Sequence, residues 1–242
     1  MKFMLEIKNL SKNFGGFVAL SDINLKVEPG ERLGLIGPNG SGKTTLINCI
    51  SGTIQNYTGE VQFNGETLND LKAYQRARMG IARSFQIPKP FKSMTIKQNL
   101  LVPLEYAVQD NNLGPHGLDG EADRILDLLG LADKANDISS NLTQIEMRKL
   151  ELARAMAVKP KLLISDEAMA GLSSNEVDDI LKILVELNET TKITIIMIEH
   201  IMRAVMSFSE RVICLDAGEI IANATPQEVI KEPAVERAYL GE

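Results

Sequence analysis

Residues 37–44 read Gly37-Pro38-Asn39-Gly40-Ser41-Gly42-Lys43-Thr44, a complete match to G-x-x-x-x-G-K-[ST]. No other stretch restricts the fold so tightly. A strand must deliver the chain to such a loop and a helix must leave it, because successive backbone N–H groups and the positive end of a helix dipole hold the phosphate. Both flanks are present: Arg32 to Ile36 (RLGLI) is a short apolar strand, and Thr44 to Ser51 has helical spacing. The glycines let the backbone curl without Cβ clashes. Lys43 is placed to reach the β- and γ-phosphates, and the Thr44 hydroxyl to ligate Mg²⁺. Pro38, Asn39, Gly40, Ser41 and Thr45 complete the expected nucleotide-lining set.

A second element follows about a domain core later. Lys161 to Ser165 is an apolar run ending in Asp166-Glu167. At the carboxyl end of a parallel strand, Asp166 is placed to hold Mg²⁺ through water beside the phosphate loop. Glu167, one step further, can orient or deprotonate an attacking water. The run Ile193 to Ile198, with helical spacing over 175–189 before it, completes a βαβ unit with buried parallel strands. Upstream, Phe3, Leu5, Ile7, Phe17 to Leu20, Ile23, Leu25 and Val27 alternate as antiparallel strands, and 58–68 has the strand–Asn-Gly–strand form of a hairpin. The middle third has helical spacing over 71–83, 95–108, 121–129 and 143–158, with a turn-rich loop at 109–120. The expected plan is one α/β domain over 1–242. It has a mostly parallel sheet core, an antiparallel β arm at about 1–30 and 58–68, and a helical insertion at about 88–158. The remainder forms the nucleotide-binding core.

Composition narrows the partners. The chain carries 26 basic and 32 acidic residues, a net charge of −6, with no dense Lys/Arg block, which argues against sequence-independent nucleic-acid binding. Cys49 and Cys214 lie far apart in apolar surroundings, so neither a disulfide framework nor a metal site is expected, and a reducing compartment is. The first ten residues lack an apolar signal core. No apolar run approaches the roughly 20 residues needed to span a bilayer, so a membrane role would come through a partner.

Other motifs fall between and after these two. Gln86 sits in Arg83-Ser84-Phe85-Gln86, ahead of the helical insertion. Asn141-Leu142-Thr143 opens the helix that runs through Arg148 to Ala155. His200 follows the strand ending Ile198-Glu199. This ordered set resembles the nucleotide-binding subunit of an ATP-binding cassette (ABC) transporter over essentially the whole chain. It is most similar to the ATPase of branched-chain amino-acid importers, through Asn13-Phe14-Gly15-Gly16, Phe91-Lys92-Ser93-Met94-Thr95, Ile198-Glu199-His200 and the ending Ala238-Tyr239-Leu240-Gly241-Glu242. The resemblance implies a P-loop NTPase fold, with ATP and Mg²⁺ as cofactors, and hydrolysis that powers uptake of a small, amino-acid-like solute. It implies that Phe14 stacks on adenine, with plain core packing as the competing reading. Gln86 would sense Mg²⁺ and the attacking water, and His200 would contact the γ-phosphate and hold the water with Glu167. Membrane permease subunits would dock a coupling helix at Ile87 to Leu104, placing the chain on the cytoplasmic side of the membrane. A second cassette would complete each ATP site, a heterodimer being favoured over a homodimer.

The chain departs from that family at one loop. Leu142-Thr143-Gln144-Ile145-Glu146 stands where the family reads Leu-Ser-Gly-Gly-Gln. Ile145 replaces a glycine and would disfavour positive φ. Glu146 replaces a neutral amide and would face a partner's polyphosphate, where two unit charges about 4 Å apart repel by roughly 4 kcal/mol at an effective dielectric near 20. Ala168, Ser173 and Ala224 are smaller departures from the usual Pro, Asp or Asn, and Gly. An alternative therefore stands beside the importer ATPase: an ATP-dependent clamp or switch with weak hydrolysis.

Overall fold

The computed structural model describes residues 2–84, 88–107 and 116–240. Strands β1 (Leu5–Phe14) and β2 (Phe17–Val27) form an antiparallel hairpin, and β1 also pairs with β4 (Thr58–Phe63), which turns into β5 (Glu66–Thr67). The turn between β4 and β5 is Asn64-Gly65, with φ of 50° and 78°. That double left-handed geometry is what an Asn-Gly pair supplies. Between these strands the chain makes β3 (Arg32–Ile36) and α1 (Lys43–Ser51).

The central sheet has six strands in the order β10-β9-β3-β8-β7-β6. It adds β6 (Ile81–Ser84), β7 (Leu162–Asp166), β8 (Thr194–Ile198), β9 (Arg211–Asp216) and β10 (Glu219–Ala224) to β3. All neighbours are parallel except β10, which runs antiparallel to β9. Every residue of β7 and β8 is buried, which is why these strands are unbroken apolar runs rather than alternating ones. Successive residues nonetheless serve opposite faces. Leu162, Ile164, Ile196 and Ile198 join a core shared with the β1–β2–β4 sheet and α1. Leu163, Ile195 and Met197 join a second core with the helices.

That second core is built by α3 (Ile96–Ala107), α4 (Gly117–Leu128), α5 (Gln144–Ala157) and α6 (Ser174–Thr191). The short helix α2 (Ala73–Met79) precedes β6. The last elements, α7 (Met202–Phe208), α8 (Pro226–Val229) and α9 (Pro233–Leu240), follow or flank β9 and β10. Among the described residues no helix is long and apolar enough to cross a membrane.

Two local expectations are corrected. The helical spacing over 71–83 ends early: α2 stops at Met79, Gly80 adopts φ 106°, and residues 81–84 become the edge strand β6. Gly80 supplies the left-handed cap that a side chain resists. Ile81 then pairs with Leu162, and tertiary pairing outweighs local helical spacing. The loop expected at 109–120 is shortened, because α4 begins at Gly117; residues 108–115 lie outside those described.

Candidate nucleotide-binding and hydrolysis site

The phosphate loop leaves β3 at the carboxyl edge of the sheet and enters α1 through Gly42, at φ 106°. Gly37 has φ 148°, and a Cβ there would overlap the Leu215 carbonyl oxygen. A Cβ on Gly42 would lie 2.7 Å from the Ala19 carbonyl oxygen. The loop is thus wedged between β9 and β2, and neither glycine tolerates a side chain. The Gly37 N–H donates to the Tyr239 hydroxyl at 2.9 Å, tying the base of the loop to α9. The Gly218 N–H donates to the Ser41 carbonyl at 3.0 Å.

Lys43 is buried, and its Nζ donates to the carbonyls of Gly37 at 2.7 Å and Pro38 at 2.9 Å. Burial lowers its pKa, while the nearby charges of Glu167 and Asp166 oppose that shift. Its cationic head therefore sits in the loop's concavity, facing the two acids. Thr44 and Thr45 occupy the first turn of α1, Thr44 exposed and Thr45 partly so. A cradle of amides, a confined ammonium, an accessible hydroxyl and an acid opposite fit a magnesium–nucleotide complex.

Asp166 ends β7 and is buried. Glu167 follows at φ 48°, a left-handed conformation that costs a non-glycine residue about 1–3 kcal/mol and is found preferentially at functional sites. Its N–H donates to the Ile198 carbonyl at 2.9 Å, and its Oε1 lies 2.9 Å from His200 Nε2. The strand ends of β7 and β8 thus bring together two residues 33 apart in sequence. Phe14 stands at the tip of the β1–β2 hairpin, 49% exposed, with Lys12 Nζ 4.7 Å from its ring centre. It is not part of the buried core, and one face of its ring carries the Lys12 ammonium. Gln86 lies outside the described residues.

A family model described as "ABC transporter" matches residues 20–170. A branched-chain amino acid transport ATP-binding protein, BraF of Pseudomonas aeruginosa, is 36% identical over 250 residues, covering 99% of this chain and 98% of that protein. The chain belongs to the ABC transporter family. Its fold matches the crystal structure of a nucleotide-free ATP-binding cassette from an ABC transporter, with TM-score 0.89, 30% identity and full coverage of both chains. It also matches the ADP conformation of such a cassette, with TM-score 0.88, 30% identity and again full coverage of both. The chain is therefore an ABC ATPase.

In this cassette the divergent loop is better ordered than its sequence suggests. Thr143 caps α5: its Oγ1 accepts from the Glu146 N–H at 3.4 Å, and Glu146 Oε2 accepts from the Thr143 N–H at 2.9 Å. This reciprocal pair is a capping box. Glu146 Oε1 also meets Lys134 Nζ at 2.6 Å. Those contacts, Lys134 first, hold the Glu146 carboxyl below its ordinary pKa. Within this chain the Glu146 carboxylate is hydrogen-bonded to its own helix start and paired with a neighbouring lysine. Ile145 lies within helical backbone and packs on the helical core, so positive φ is not demanded of it. Arg148 Nη2 donates to the Ala170 carbonyl at 3.1 Å, joining α5 to the loop after Glu167.

Three residues of the cassette site lie in motifs quoted from the sequence but were given no role there. Arg83 binds Asp166 and Asn48. Glu199, 3% exposed, accepts from the Met169 N–H at 2.9 Å. Burial first, then the Glu167 charge, pushes its carboxyl up to about 7, against the Met169 N–H and Arg148. Tyr239 braces Gly37. The available signals were an arginine near the end of an apolar strand and a glutamate closing another.

Proposed function

We propose that this cassette is the ATP-hydrolysing subunit of an importer for branched-chain or related amino acids, working at the cytoplasmic face of the membrane. The Glu167–His200 pair at 2.9 Å carries the hydrolytic part of the reading. A carboxylate beside an imidazole at the end of the sheet, next to the phosphate loop, is placed to orient water and accept its proton. Bound Mg²⁺ would neutralise phosphate charge, held by the Thr44 hydroxyl, Gln86 and, through water, Asp166. Lys43 and the loop amides from Asn39 to Thr45 would stabilise the charge developing on the γ-phosphate. Phe14 would present its flat face to adenine, an interaction tolerant of base identity.

The partner side of the proposal rests on a groove of about 520 Å³, floored by Tyr74, Ala77, Ala82, Pro103, Ala155 and Val158. It lies between α2 and β6 on one wall and α3 and α5 on the other, and overlaps the segment expected to receive a permease coupling helix. The amino-acid substrate follows from the likeness to BraF along the whole chain. A second cassette would close each ATP site, and a heterodimer is favoured because Thr143-Gln144-Ile145-Glu146 lacks the family glycines while this chain's own nucleotide face is complete. The same loop supports the second reading, a clamp with weak turnover. Reconstitution with the native permease pair and its second cassette decides between them. ATP-dependent leucine uptake that Glu167→Gln abolishes is the expected result, and ATP binding with neither uptake nor turnover in the wild type would overturn the first reading.

A further inference from the structure

The Mg²⁺-side acid is not left to itself. Asp166 Oδ2 accepts two bonds from one guanidinium, Arg83 Nη2 at 2.5 Å and Nε at 3.1 Å. Arg83 Nη1 donates to Asn48 Oδ1 at 2.7 Å. Asn48 stands on α1, the helix that leaves the phosphate loop. Arg83 and Asp166 are on adjacent parallel strands, with Arg83 opposite Ile164, and their side chains are only 11% and 10% exposed.

We propose that Arg83 is a positioning residue for the metal side of this site. It fixes the Asp166 carboxylate against α1 and balances its charge, so that Oδ1 is the oxygen left to a metal-bound water. The proposal rests on the reading of Asp166 as a holder of Mg²⁺.

The physical argument concerns what each charge state costs. A buried carboxylate stripped of its cation is strongly unfavourable. Beside the phosphates of ATP it is more so, because two negative groups face each other across a water-poor space. With Arg83 in place, a guanidinium offsets the Asp166 charge, and ATP enters at lower cost even before the metal. Without Arg83, the Lys43 ammonium, already engaged by the loop carbonyls and shared with Glu167, is the remaining cation of the loop until Mg²⁺ arrives. The guanidinium's fork matters as well as its charge, since Nε and Nη2 converge on the single oxygen Oδ2 and hold it to one side, and a lysine ammonium has no fork. Arg83 therefore sets how strongly ATP binding depends on Mg²⁺.

The test measures the affinity of the purified chain for a fluorescent ATP analogue, in excess Mg²⁺ and in EDTA, by equilibrium titration. The ratio of the two affinities is the Mg²⁺ coupling. Arg83→Met should raise that ratio about tenfold or more, chiefly by weakening binding in EDTA, as expected when a buried partner charge is lost. Arg83→Lys should fall between Met and wild type. In the Asp166→Asn background, Arg83→Met should change the ratio by less than about twofold, because no carboxylate then needs balancing. That double variant also removes the unpaired buried charge, so it reports even where Arg83→Met alone fails to fold. Equal ratios for Arg83→Met and wild type, or an undiminished effect of Arg83→Met in the Asp166→Asn background, would overturn the proposal. Asp166→Asn separates this from the reading beneath it. If it alters the ratio while Arg83→Met does not, Arg83 has no such role and Asp166 keeps its own; if it leaves the ratio unchanged, both fall.

Discussion

Replacing Glu199 by glutamine should make the protein more stable in mild alkali and leave the balance unchanged in acid. Glu199 is 3% exposed, and its carboxyl is raised from 4.5 to about 7. Desolvation leads, since no full counter-charge offsets its burial, and Glu167 adds repulsion. The sign follows from linkage. A carboxyl with a raised native pKa favours the fold fully below the unfolded value of 4.5, and that advantage is lost as pH climbs through about 7. The rise from 4.5 to about 7, at about 1.4 kcal/mol per pH unit, gives an upper figure of about 3.5 kcal/mol between the two limits. Glutamine keeps an oxygen to accept the Met169 N–H and never ionises. The stability difference, variant minus wild type, should therefore grow by about 3 kcal/mol between pH 4.5 and pH 8. For a chain of this size, about 2–4 °C per kcal/mol makes this a differential Tm change of about 6–12 °C. Calorimetric scans of both proteins across that range provide the assay. Parallel Tm curves would refute the argument, because they would mean that Glu199 titrates alike in both states.

Lys43→Ala should reduce ATP affinity severely, since Lys43 is the cation held inside the loop; unchanged affinity by calorimetry would remove the phosphate-loop assignment. Glu167→Gln should keep ATP binding, nearly abolish turnover and trap an ATP-bound dimer, which rapid-quench phosphate release and gel filtration would show. Thr143→Ala should cost about 1 kcal/mol of stability through loss of the α5 cap, read as a shifted urea midpoint. The purified chain alone should be mostly monomeric with little ATPase activity. Thr143→Ser with Ile145→Gly and Glu146→Gln should raise both self-association and turnover, and brisk cooperative hydrolysis by the unmodified chain would count against a heterodimer.

The two strand-borne motifs were legible because their chemistry requires local spacing. A Gly-rich loop between an apolar strand and a helix has one arrangement that cradles phosphate, and continuous apolar runs such as Leu162 to Ile164 and Ile195 to Ile198 specify strands buried on both faces. Resemblance to a family added Phe14 and His200, which spacing alone does not reach. Sequence reasoning erred where a long-range partner outweighed local spacing. Residues 81–84 carry helical spacing but lie beside Leu162 to Ser165, and the sheet edge claims them. The Glu146 charge has a partner that local spacing does not reveal, Lys134, twelve positions earlier.

By itself, then, the order of residues determined the parallel α/β plan, the phosphate loop and the acid at the strand end, because strand period, helix period and glycine freedom act within a few residues. Only the tertiary structure decided which groups share an electrostatic environment. The sheet order places β6 beside β7, and so gives Asp166 the guanidinium of Arg83, 83 positions away. It sets β7 beside β8, and so puts His200 on Glu167. It buries Glu199 far enough for its carboxyl to hold a proton near neutrality. Charge balance and desolvation depend on distances across the sheet, and those distances exist only once the strands have paired.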